Sequence, residues 1–563
     1  MGIKRYYAIA DATITNAFKE DMTTRATGAN IGAADTLEVY SIYNQTQITG
    51  GHSSGSAELS RALLHFNVTG TNSISADRTS GILPPSGKIN FYLRMFDVAH
   101  DQPISKHATY DIVAASSGWE EGRGADLDQY GDLTKDDIGV NWVYSTKGNA
   151  WTKPGGTYHT ASTAGDNSTV VFTTTLEEGM EDLEVDITAL VEEWVAGTKE
   201  NYGLGLFLTS TMEAFFSSST SGPDNRPFLQ DFTGPQGGVL HNTGGSVHSY
   251  YTKKFSARTS EYFFKRPVIE ARWDSYEQDD RGNTYYSSSL ATGEENINTL
   301  YLYNYFRGKL RDIPGIGHSS GIKSTGGSGK IFVSIFSGNV SNDAPNTETI
   351  RLVTDETHVT DDARNTIITG GWVSSGTYTA SFALTSALAP VSTFYDVWFT
   401  GGLLADGAAG GSVHGVTQYF TGSFEPTTLK AMNFAADTEH VTNIVNLKPT
   451  YTRKETARMR TYTREKDWNP NIYTKATANP VTSIIESGSY KVFRVIDDLE
   501  AVSYGTGSDR HTFLSYDISG NYFDLDMSML AAGYAYGLKF AFYNDSVGSW
   551  VEQPEVFKFR VED

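Results

Sequence analysis

The sequence of 563 residues contains no cysteine, which excludes disulfide bonds, thiolate zinc sites and thiol catalysis together. It also lacks any run of about 18 apolar residues, so we expect no membrane insertion. The first residues, MGIKRYYAIADATIT, lack the apolar segment of a secretory signal peptide. Lys and Arg (44) are outnumbered by Asp and Glu (66), which gives a formal net charge of −22. Because binding to phosphate groups requires cations, nucleic acid is not an expected partner.

Aromatic and small residues are abundant, whereas strong helix formers are few. The chain has 32 Tyr, 29 Phe and 55 Gly, a composition typical of many short strands joined by turns. At this length one hydrophobic core does not usually suffice, so several domains are expected. We predict an all-β protein of three antiparallel β-sandwich domains in series, covering residues 1–275, 276–445 and 446–563.

The stretch of residues 181–210 predicts a strand, a short helix and a second strand. Leu183 and Val185 alternate with charged residues, as in a half-buried strand. Apolar residues then recur at the helical spacing i, i+3, i+4 and i+7, namely Ile187, Leu190, Val191 and Trp194. Asp186 is placed to cap this helix, and Gly197 is placed to end it in the left-handed conformation. Alternation resumes at three positions, Leu204, Leu206 and Leu208.

This helix-bearing stretch resembles part of the DNRLRE-type β-sandwich, a family found in surface and virion-associated proteins. Other segments similar to the family occur in the expected order, with opening, central and closing strands at ADATITNAF (10–18), SRALLHFNV (60–68) and RPVIEARW (266–273). The family motif before the closing strand is degenerate here, SARTSEYFFKRP. The resemblance covers roughly the first half of the chain and implies a jelly-roll sandwich. Long insertions interrupt the alternating strands of this half, one of them at residues 100–166, which is rich in Trp, Asp and Gly.

The second and third domains contain short alternating strands that indicate immunoglobulin-like sandwiches. Between the first and second domains, the polar segment SYEQDDRGN is predicted to be a linker. Five later segments resemble a structural protein of T4-like tailed phages of marine bacteria (cyanophage type): NTLYLYN, KDWNPNIYTKAT, IIESGSY, YGTGSDRHTFLSYD and ISGNYFDLDMSML. That likeness spans most of the chain and includes no catalytic motif.

An acidic segment within the insertion at residues 100–166 partly follows the spacing of a calcium-binding loop. Its candidate ligands are Asp126, Asp128, Asp132 and Asp137, and Gly131 occupies the turn position. Tyr130 stands where the loop pattern requires an oxygen ligand, and Asp137 is shorter than the usual bidentate glutamate. A structural Ca²⁺ is therefore one hypothesis and a solvated acidic loop is the other. No other cofactor is expected.

Three tryptophans of the same insertion, Trp119, Trp142 and Trp151, are candidates for contact with a glycan. Aromatic rings can stack on the apolar faces of sugar rings while nearby carboxylates and amides bind the hydroxyl groups. The alternative is that these side chains hold the insertion in place or pack against a neighbouring subunit.

A basic strand face stands out in this acidic chain. Within TARMRTYTR, the alternation of a strand places Arg458, Arg460 and Arg464 on one side. A docking surface for an acidic neighbour, including another copy of the chain, is one hypothesis for this face; an ordinary solvated strand face and a contact with nucleic acid are the alternatives.

Gly-His-Ser-Ser-Gly occurs twice, at residues 51–55 and 317–321, and formally matches the nucleophile elbow of hydrolases. That motif requires a buried strand before the serine and a helix after it, and neither copy has this context. We therefore assign no catalytic residue.

Together these patterns predict a non-enzymatic structural protein of a tailed-phage virion, assembled in the host cytoplasm and docked on the outside of the particle. Capsid decoration, a neck or collar position and a tail appendage all fit. The expected partners are other virion proteins, and a homo-oligomer is expected as well. An array of carbohydrate-binding modules that attaches to host-surface glycan is the first alternative, and a hydrolase of host polysaccharide is the second.

Overall fold

The computed structural model describes residues 2–19, 24–47, 55–100, 104–125, 139–159, 171–213, 250–314, 316, 331–337, 350, 352, 367–385, 392–400, 417–429, 439–466, 472 and 482–563. The chain divides into two compact units, an N-terminal unit of Ile3–Trp273 and a C-terminal unit of Asp274–Asp563 together with residues 1 and 2. Antiparallel sheets dominate both units, so the all-β prediction is confirmed. The division of the second unit near residue 445 and the finer jelly-roll and immunoglobulin-like assignments stay predictions.

The N-terminal unit contains the following strands: Ile3–Thr15 (β1), Thr36–Gln47 (β2), Gly55–Phe66 (β3), Asn90–Met95 (β4), Ala108–Ala114 (β5), Tyr144–Thr146 (β6), Asn149–Ala150 (β7), Val171–Leu176 (β8), Leu183–Asp186 (β9), Leu204–Leu208 (β10), Tyr250–Ser256 (β11) and Val268–Arg272 (β12). Its helices are Ile74–Ser80 (α1), Thr188–Ala196 (α2) and Ser210–Glu213 (α3), with a 3-10 turn at Phe263–Lys265. Among the described residues, no helix is long and apolar enough to cross a membrane.

β1 connects two parts of the main sheet system because its two halves pair with different strands. Ile3–Tyr7 pairs with β12, and the second half, from Ala8 onward, pairs with β3 after a bulge between Ala8 and Ala10. The resulting strand order is β8-β5-β10-β3-β1-β12-β4-β9, and β2 links β3 to β11. The main core lies against this system and includes Leu64 and Phe66 of β3 and Phe91 and Leu93 of β4.

The predicted strand, helix and strand are confirmed as β9, α2 and β10. Asp186 accepts a hydrogen bond from the N–H of Thr188 at 2.8 Å, although Ile187 occupies the N-cap position itself. Gly197 ends the helix at φ 70°, in the left-handed region. The apolar stripe is buried in the main core through Ile187, Leu190, Val191 and Trp194. Burial of one helical face is thus what fixes this short helix on the sheets.

β3 is buried on both faces. Ala62 and Leu64 face the main core, while Leu59 and Leu63 face a smaller core that the long insertion covers with Val140. The insertion therefore packs against the sheet in its described part.

The C-terminal unit contains Tyr285–Tyr286 (β13), Asn298–Tyr303 (β14), Tyr305–Phe306 (β15), Lys309–Leu310 (β16), Phe332–Ser337 (β17), Ile368–Thr369 (β18), Gly371–Ser374 (β19), Thr377–Phe382 (β20), Phe394–Thr400 (β21), Thr417–Phe424 (β22), Thr427–Thr428 (β23), His440–Ile444 (β24), Thr450–Thr452 (β25), Thr456–Glu465 (β26), Gly488–Arg494 (β27), Glu500–Val502 (β28), Ser515–Asp517 (β29), Gly520–Asp526 (β30), Ala535–Asn544 (β31), Ser549–Glu552 (β32) and Phe557–Glu562 (β33). Short 3-10 turns lie at Asp280–Gly282 and Met527–Met529.

The described strands of this unit form four sheets of three or more strands and two two-stranded sheets, β13-β23 and β15-β16. β14-β20-β19 and β18-β17-β21-β22 share one core, which includes Leu300, Tyr378 and Trp398. β24-β26-β30-β29 and β25-β33-β31-β27-β28, with β32 beside β31, face each other through aromatic residues. Phe523 of β30, for example, lies 4.3 Å from the ring centroid of Tyr490 on β27.

The segment predicted as a linker is ordered and hydrogen-bonded within the C-terminal unit. Gln278 forms a parallel bridge with Tyr516, and the N–H of Asp279 donates to the carbonyl of Tyr516 at 3.0 Å. Asp280 accepts from the Tyr516 hydroxyl at 2.7 Å and from the N–H of Thr299 at 2.6 Å. Its polar side chains thus join β29 to β14 instead of facing solvent, which corrects the linker prediction.

Candidate functional site

The predicted calcium ligands Asp126, Asp128, Asp132 and Asp137 lie outside the described residues. The same holds for residues 51–54 and 317–321 of the two Gly-His-Ser-Ser-Gly loops. In the part of the chain that the structure does describe, no group of three His, Asp or Glu side chains is arranged to hold a metal ion. The residues on either side of the acidic segment are described, and hydrogen bonds fix both of its ends.

Asn30 connects the two ends of this segment. Its Nδ2 donates to the carbonyl oxygens of Glu121 and Val140, each at 2.8 Å. Its Oδ1 accepts from the N–H of Gly124 at 2.7 Å. A Cβ on Gly124 would lie 2.0 Å from the carbonyl oxygen of Asn30, and one on Gly139 would lie 2.2 Å from its Nδ2. Glycine is therefore required where the chain enters and leaves the acidic segment.

Asp11, Glu121 and Arg258 form a hydrogen-bonded network beside this base. The Asp11 carboxylate accepts from the backbone N–H of Arg258 at 2.6 Å, and both oxygens of Glu121 accept from the Arg258 guanidinium. Burial raises the pKa of Asp11 to about 7, against the opposing hydrogen bond from Arg258 and with the help of the Glu121 charge. Both carboxyl groups thus have partners within the unit. Because the pKa of Asp11 is close to neutral, the stability of this unit is expected to depend on pH.

Two of the three candidate tryptophans are core residues. Trp142 is fully buried and Trp151 is 5% exposed, and both belong to the small core under the insertion. The indole N–H of Trp151 donates to the carbonyl of Asn141 at 2.9 Å. Trp119 is half-buried and donates to the carbonyl of Tyr202 at 2.9 Å. A sugar platform needs exposed ring faces, so burial of the first two corrects the platform hypothesis in favour of the packing alternative.

Two of the three arginines on the predicted basic face are neutralised by cross-strand partners. Arg458 pairs with Asp524 at 2.8 and 2.9 Å, and Arg460 pairs with Asp517 at 2.9 and 2.5 Å, both bidentately. Arg464 donates to the carbonyl oxygens of the next two residues. The alternation that defined the face is confirmed, but its positive charge is largely cancelled within the unit.

A different group of side chains forms an exposed cluster that we call the aromatic–arginine surface: Tyr276, Arg510, Phe513, Tyr543 and Trp550. The four rings follow one another with centroid distances of 5.4, 5.5 and 5.6 Å, in the order Tyr276, Phe513, Trp550, Tyr543. Tyr543 and Trp550 are directly opposite each other on β31 and β32, where cross-strand aromatic pairs stabilise a sheet. Tyr543 is 41% exposed, and the other three rings are half-buried.

Arg510 lies at the end of this row of rings. Its guanidinium is 5.2 Å from the Phe513 ring centroid and donates to the Tyr276 hydroxyl at 3.3 Å. The side chain is exposed, and none of the described carboxylates forms an ion pair with it. Asp274 is near, but it accepts from the backbone N–H of Arg510.

A compact polar network on the same sheet contains Glu552, Lys491, Lys539 and Tyr504. Glu552 accepts from Lys491 at 2.7 Å, from Lys539 at 2.6 Å and from the Tyr504 hydroxyl at 3.1 Å. Partial burial by itself would raise the pKa of Glu552, but these hydrogen bonds outweigh it and lower the pKa to about 2. Both lysines are therefore already paired at neutral pH, in contrast to Arg510.

β22 is the outermost strand of its sheet among the strands that the structure describes. Its sequence, TQYFTGSF, contains neither charged residues nor proline, and every residue from Thr417 to Phe420 is exposed. Gly422 leaves room for the Arg281 guanidinium, since a Cβ there would lie 2.3 Å from Arg281 Nη1. Outer strands are usually protected by charges or proline against pairing with another chain, and β22 has neither.

These two surfaces were not predicted as sites. Alternation along YGLKFAFYN would have placed Tyr543 on the face opposite the buried Phe540 and Phe542, next to Trp550 on the following strand, but Tyr276 and Phe513 come from other parts of the chain. Tyr276, Phe513 and Trp550 meet only through the fold.

No protein-family model matches the chain, and a search of curated proteins found no match either. The family resemblances therefore depend on the segments quoted above, and the function has to be inferred from surfaces.

Proposed function

We propose that the chain is a structural protein of a tailed-phage virion that docks on the exterior of the particle through its β-sheet surfaces. Capsid decoration, a neck or collar position and a tail appendage remain the candidate positions. Other virion proteins and further copies of the chain are the proposed partners, and assembly would take place in the host cytoplasm. In this proposal the protein acts by binding and not by catalysis.

The observation that carries the proposal is the exposed, uncharged outer strand β22. An outer strand offers unpaired N–H and C=O groups to which another chain can add a strand. The exposed rings of Tyr419 (39%) and Phe420 (37%) add apolar area at the same place. Such a strand is a hazard in a protein that works alone, whereas it is useful in a protein that is incorporated into a particle.

The resemblance of the chain to DNRLRE-type sandwiches and to structural proteins of T4-like phages supports the same proposal independently of β22. Both resemblances point to proteins of surfaces and virions. The intramolecular ion pairs of Arg458 and Arg460 move the proposed docking surface away from β26 and toward β22.

The test is immunogold electron microscopy of intact virions with antibodies raised against the full-length chain. We expect label at a defined, repeated position on head, neck or tail. Absence of label from virions, with the protein still made in infected cells, would overturn the proposal.

Thr421→Lys tests the role of β22. A lysine here places a charge on the outer strand and should remove the protein from virions while leaving its thermal unfolding unchanged, because Thr421 is exposed. Gly28→Lys is the matched control, since Gly28 is exposed and a Cβ there meets no atom within 4 Å. Normal incorporation of Thr421→Lys would exclude β22 as the docking strand.

A further inference from the structure

The aromatic–arginine surface combines two properties, an oriented arginine and a group of aromatic rings. Arg510 keeps its position by stacking on Phe513 and by its hydrogen bond to Tyr276, so its guanidinium is oriented before any ligand arrives. Arg494 of the same sheet, by comparison, pairs with Asp497. An oriented guanidinium with unused N–H groups is suited to bind a carboxylate through two parallel hydrogen bonds.

The row of rings provides the second property. Phe513, Trp550 and Tyr543 follow one another at centroid distances of 5.5 and 5.6 Å and meet edge to face, with interplanar angles of 63° and 69°. Each ring therefore turns its face in a different direction, and a sugar packs against one ring and not along the whole row. Aromatic faces pack against the apolar faces of pyranose rings, while neighbouring hydroxyl and amine groups bind the sugar hydroxyls. Such groups, Tyr504, Lys491 and Lys539, surround Glu552, which lies two residues after Trp550 on the same strand.

We propose that the aromatic–arginine surface binds a polysaccharide that carries carboxylate groups. The ring of Trp550 contacts a sugar face, and Arg510 binds a carboxylate of the same polysaccharide. This inference goes beyond the proposed docking function and uses none of the residues of β22. The glycan site is therefore on the C-terminal sheet and not at the buried tryptophans of the insertion.

Charge favours a carboxylated polymer over a sulfated polymer or a nucleic acid. Binding to a dense row of sulfates or phosphates requires several unpaired cations. Here Lys491 and Lys539 are paired with Glu552, which leaves Arg510 as the cation of this surface that no described carboxylate neutralises. One guanidinium matches a polymer whose charges are carboxylates spaced along a chain of sugar rings.

Isothermal titration calorimetry with the full-length protein tests the proposal, with oligogalacturonate as the probe. The methyl-esterified form of the same oligosaccharide is the control, because it retains the rings and lacks the charge. We expect binding of the acidic form, weakened by added salt, and at least about tenfold weaker binding of the ester. Failure of the acidic form to bind, or equal binding of both forms, would overturn the proposal.

Two variants assign the binding to this surface. Arg510→Gln and Trp550→Ala should each weaken binding of oligogalacturonate by about tenfold or more, while Arg494→Gln should leave it unchanged because Arg494 is engaged by Asp497. Arg510 is exposed, so Arg510→Gln is expected to fold normally, and circular dichroism and thermal unfolding verify this for both variants. Unchanged binding by Arg510→Gln would contradict the proposal.

The outcome is separable from that of the docking proposal. Thr421→Lys should bind oligogalacturonate as the wild type does, and Arg510→Gln should still be incorporated into virions. If Arg510→Gln were absent from virions and the wild type did not bind the sugar, the surface would be a contact to another protein, and the glycan proposal would be wrong.

Discussion

Arg281 and Asp396 form a bidentate ion pair, with N–O distances of 2.6 and 2.7 Å, although 115 residues separate them in the sequence. Asp396 is fully buried and also accepts from the indole N–H of Trp398 at 2.7 Å. Arg281 belongs to the segment predicted as a linker. The pair therefore connects that segment to the middle of a sheet in the C-terminal unit.

Replacing Asp396 by Asn should destabilise the C-terminal unit by about 3–5 kcal/mol, because it leaves the partly buried guanidinium of Arg281 without its charge partner. Scanning calorimetry of the full chain measures the effect as a lower melting temperature of one transition. Asp497→Asn is the control: its pair with Arg494 is 42% exposed on the Asp497 side, and it should cost less than about 1 kcal/mol. Equal effects of the two variants would contradict this assignment.

Gly124→Ala should destabilise the base of the long insertion. The added Cβ would lie 2.0 Å from the carbonyl oxygen of Asn30, and backbone cannot move away as a flexible side chain can. We expect a loss of about 1–3 kcal/mol and faster hydrogen exchange of the Val140 N–H, which donates to the carbonyl of Glu120, because the same asparagine binds the Val140 carbonyl. Gly28→Ala, where a Cβ meets nothing within 4 Å, should change neither quantity by comparison.

Local periodicity was sufficient to predict β9, α2 and β10, because the spacing of Ile187, Leu190, Val191 and Trp194 alone decides which face of the helix is buried. The alternation of β26 was equally readable, since neighbouring side chains on a strand point to opposite faces. Both predictions concern the relation of a residue to its own element, and this information is contained in the sequence itself.

Partners on other strands could not be predicted in this way. Asp524 and Asp517 neutralise Arg458 and Arg460 only because β26, β29 and β30 are adjacent, and that adjacency depends on the whole sheet. The aromatic–arginine surface could not be predicted for the same reason. Arg510 and Tyr276 are 234 residues apart in the sequence, yet the Arg510 guanidinium lies 3.3 Å from the Tyr276 hydroxyl. Whether Trp142 packs in a core or contacts a ligand could not be decided from the sequence, because its burial depends on Leu59 and Leu63 of β3, which only the fold brings next to it.

The contribution of Asp11 to the stability of the N-terminal unit should fall as the pH rises from about 4 to about 7. Its pKa is about 7 in the folded chain and 3.8 for an unperturbed carboxyl, so between these values the folded state binds more protons than the unfolded state. The stability that the neutral carboxyl provides is thus complete below pH 3.8 and is lost as the pH passes 7. Asp11→Asn keeps the acceptor for the Arg258 N–H and should flatten the dependence of the melting temperature on pH over this range. An unchanged slope in the variant would exclude Asp11 as its source.

Trp142→Ala and Trp550→Ala should separate packing from binding. Trp142 is fully buried in the small core, so its truncation leaves a cavity and should lower the free energy of unfolding of the N-terminal unit by about 3–5 kcal/mol. Because its ring faces are covered, binding of oligogalacturonate at a temperature where the variant is folded should be unchanged. Trp550→Ala should do the opposite, with weaker sugar binding and a smaller loss of stability, because its ring is half-exposed. Calorimetric unfolding and sugar titration of both variants give the comparison, and loss of sugar binding in folded Trp142→Ala would return the insertion to consideration as the glycan site.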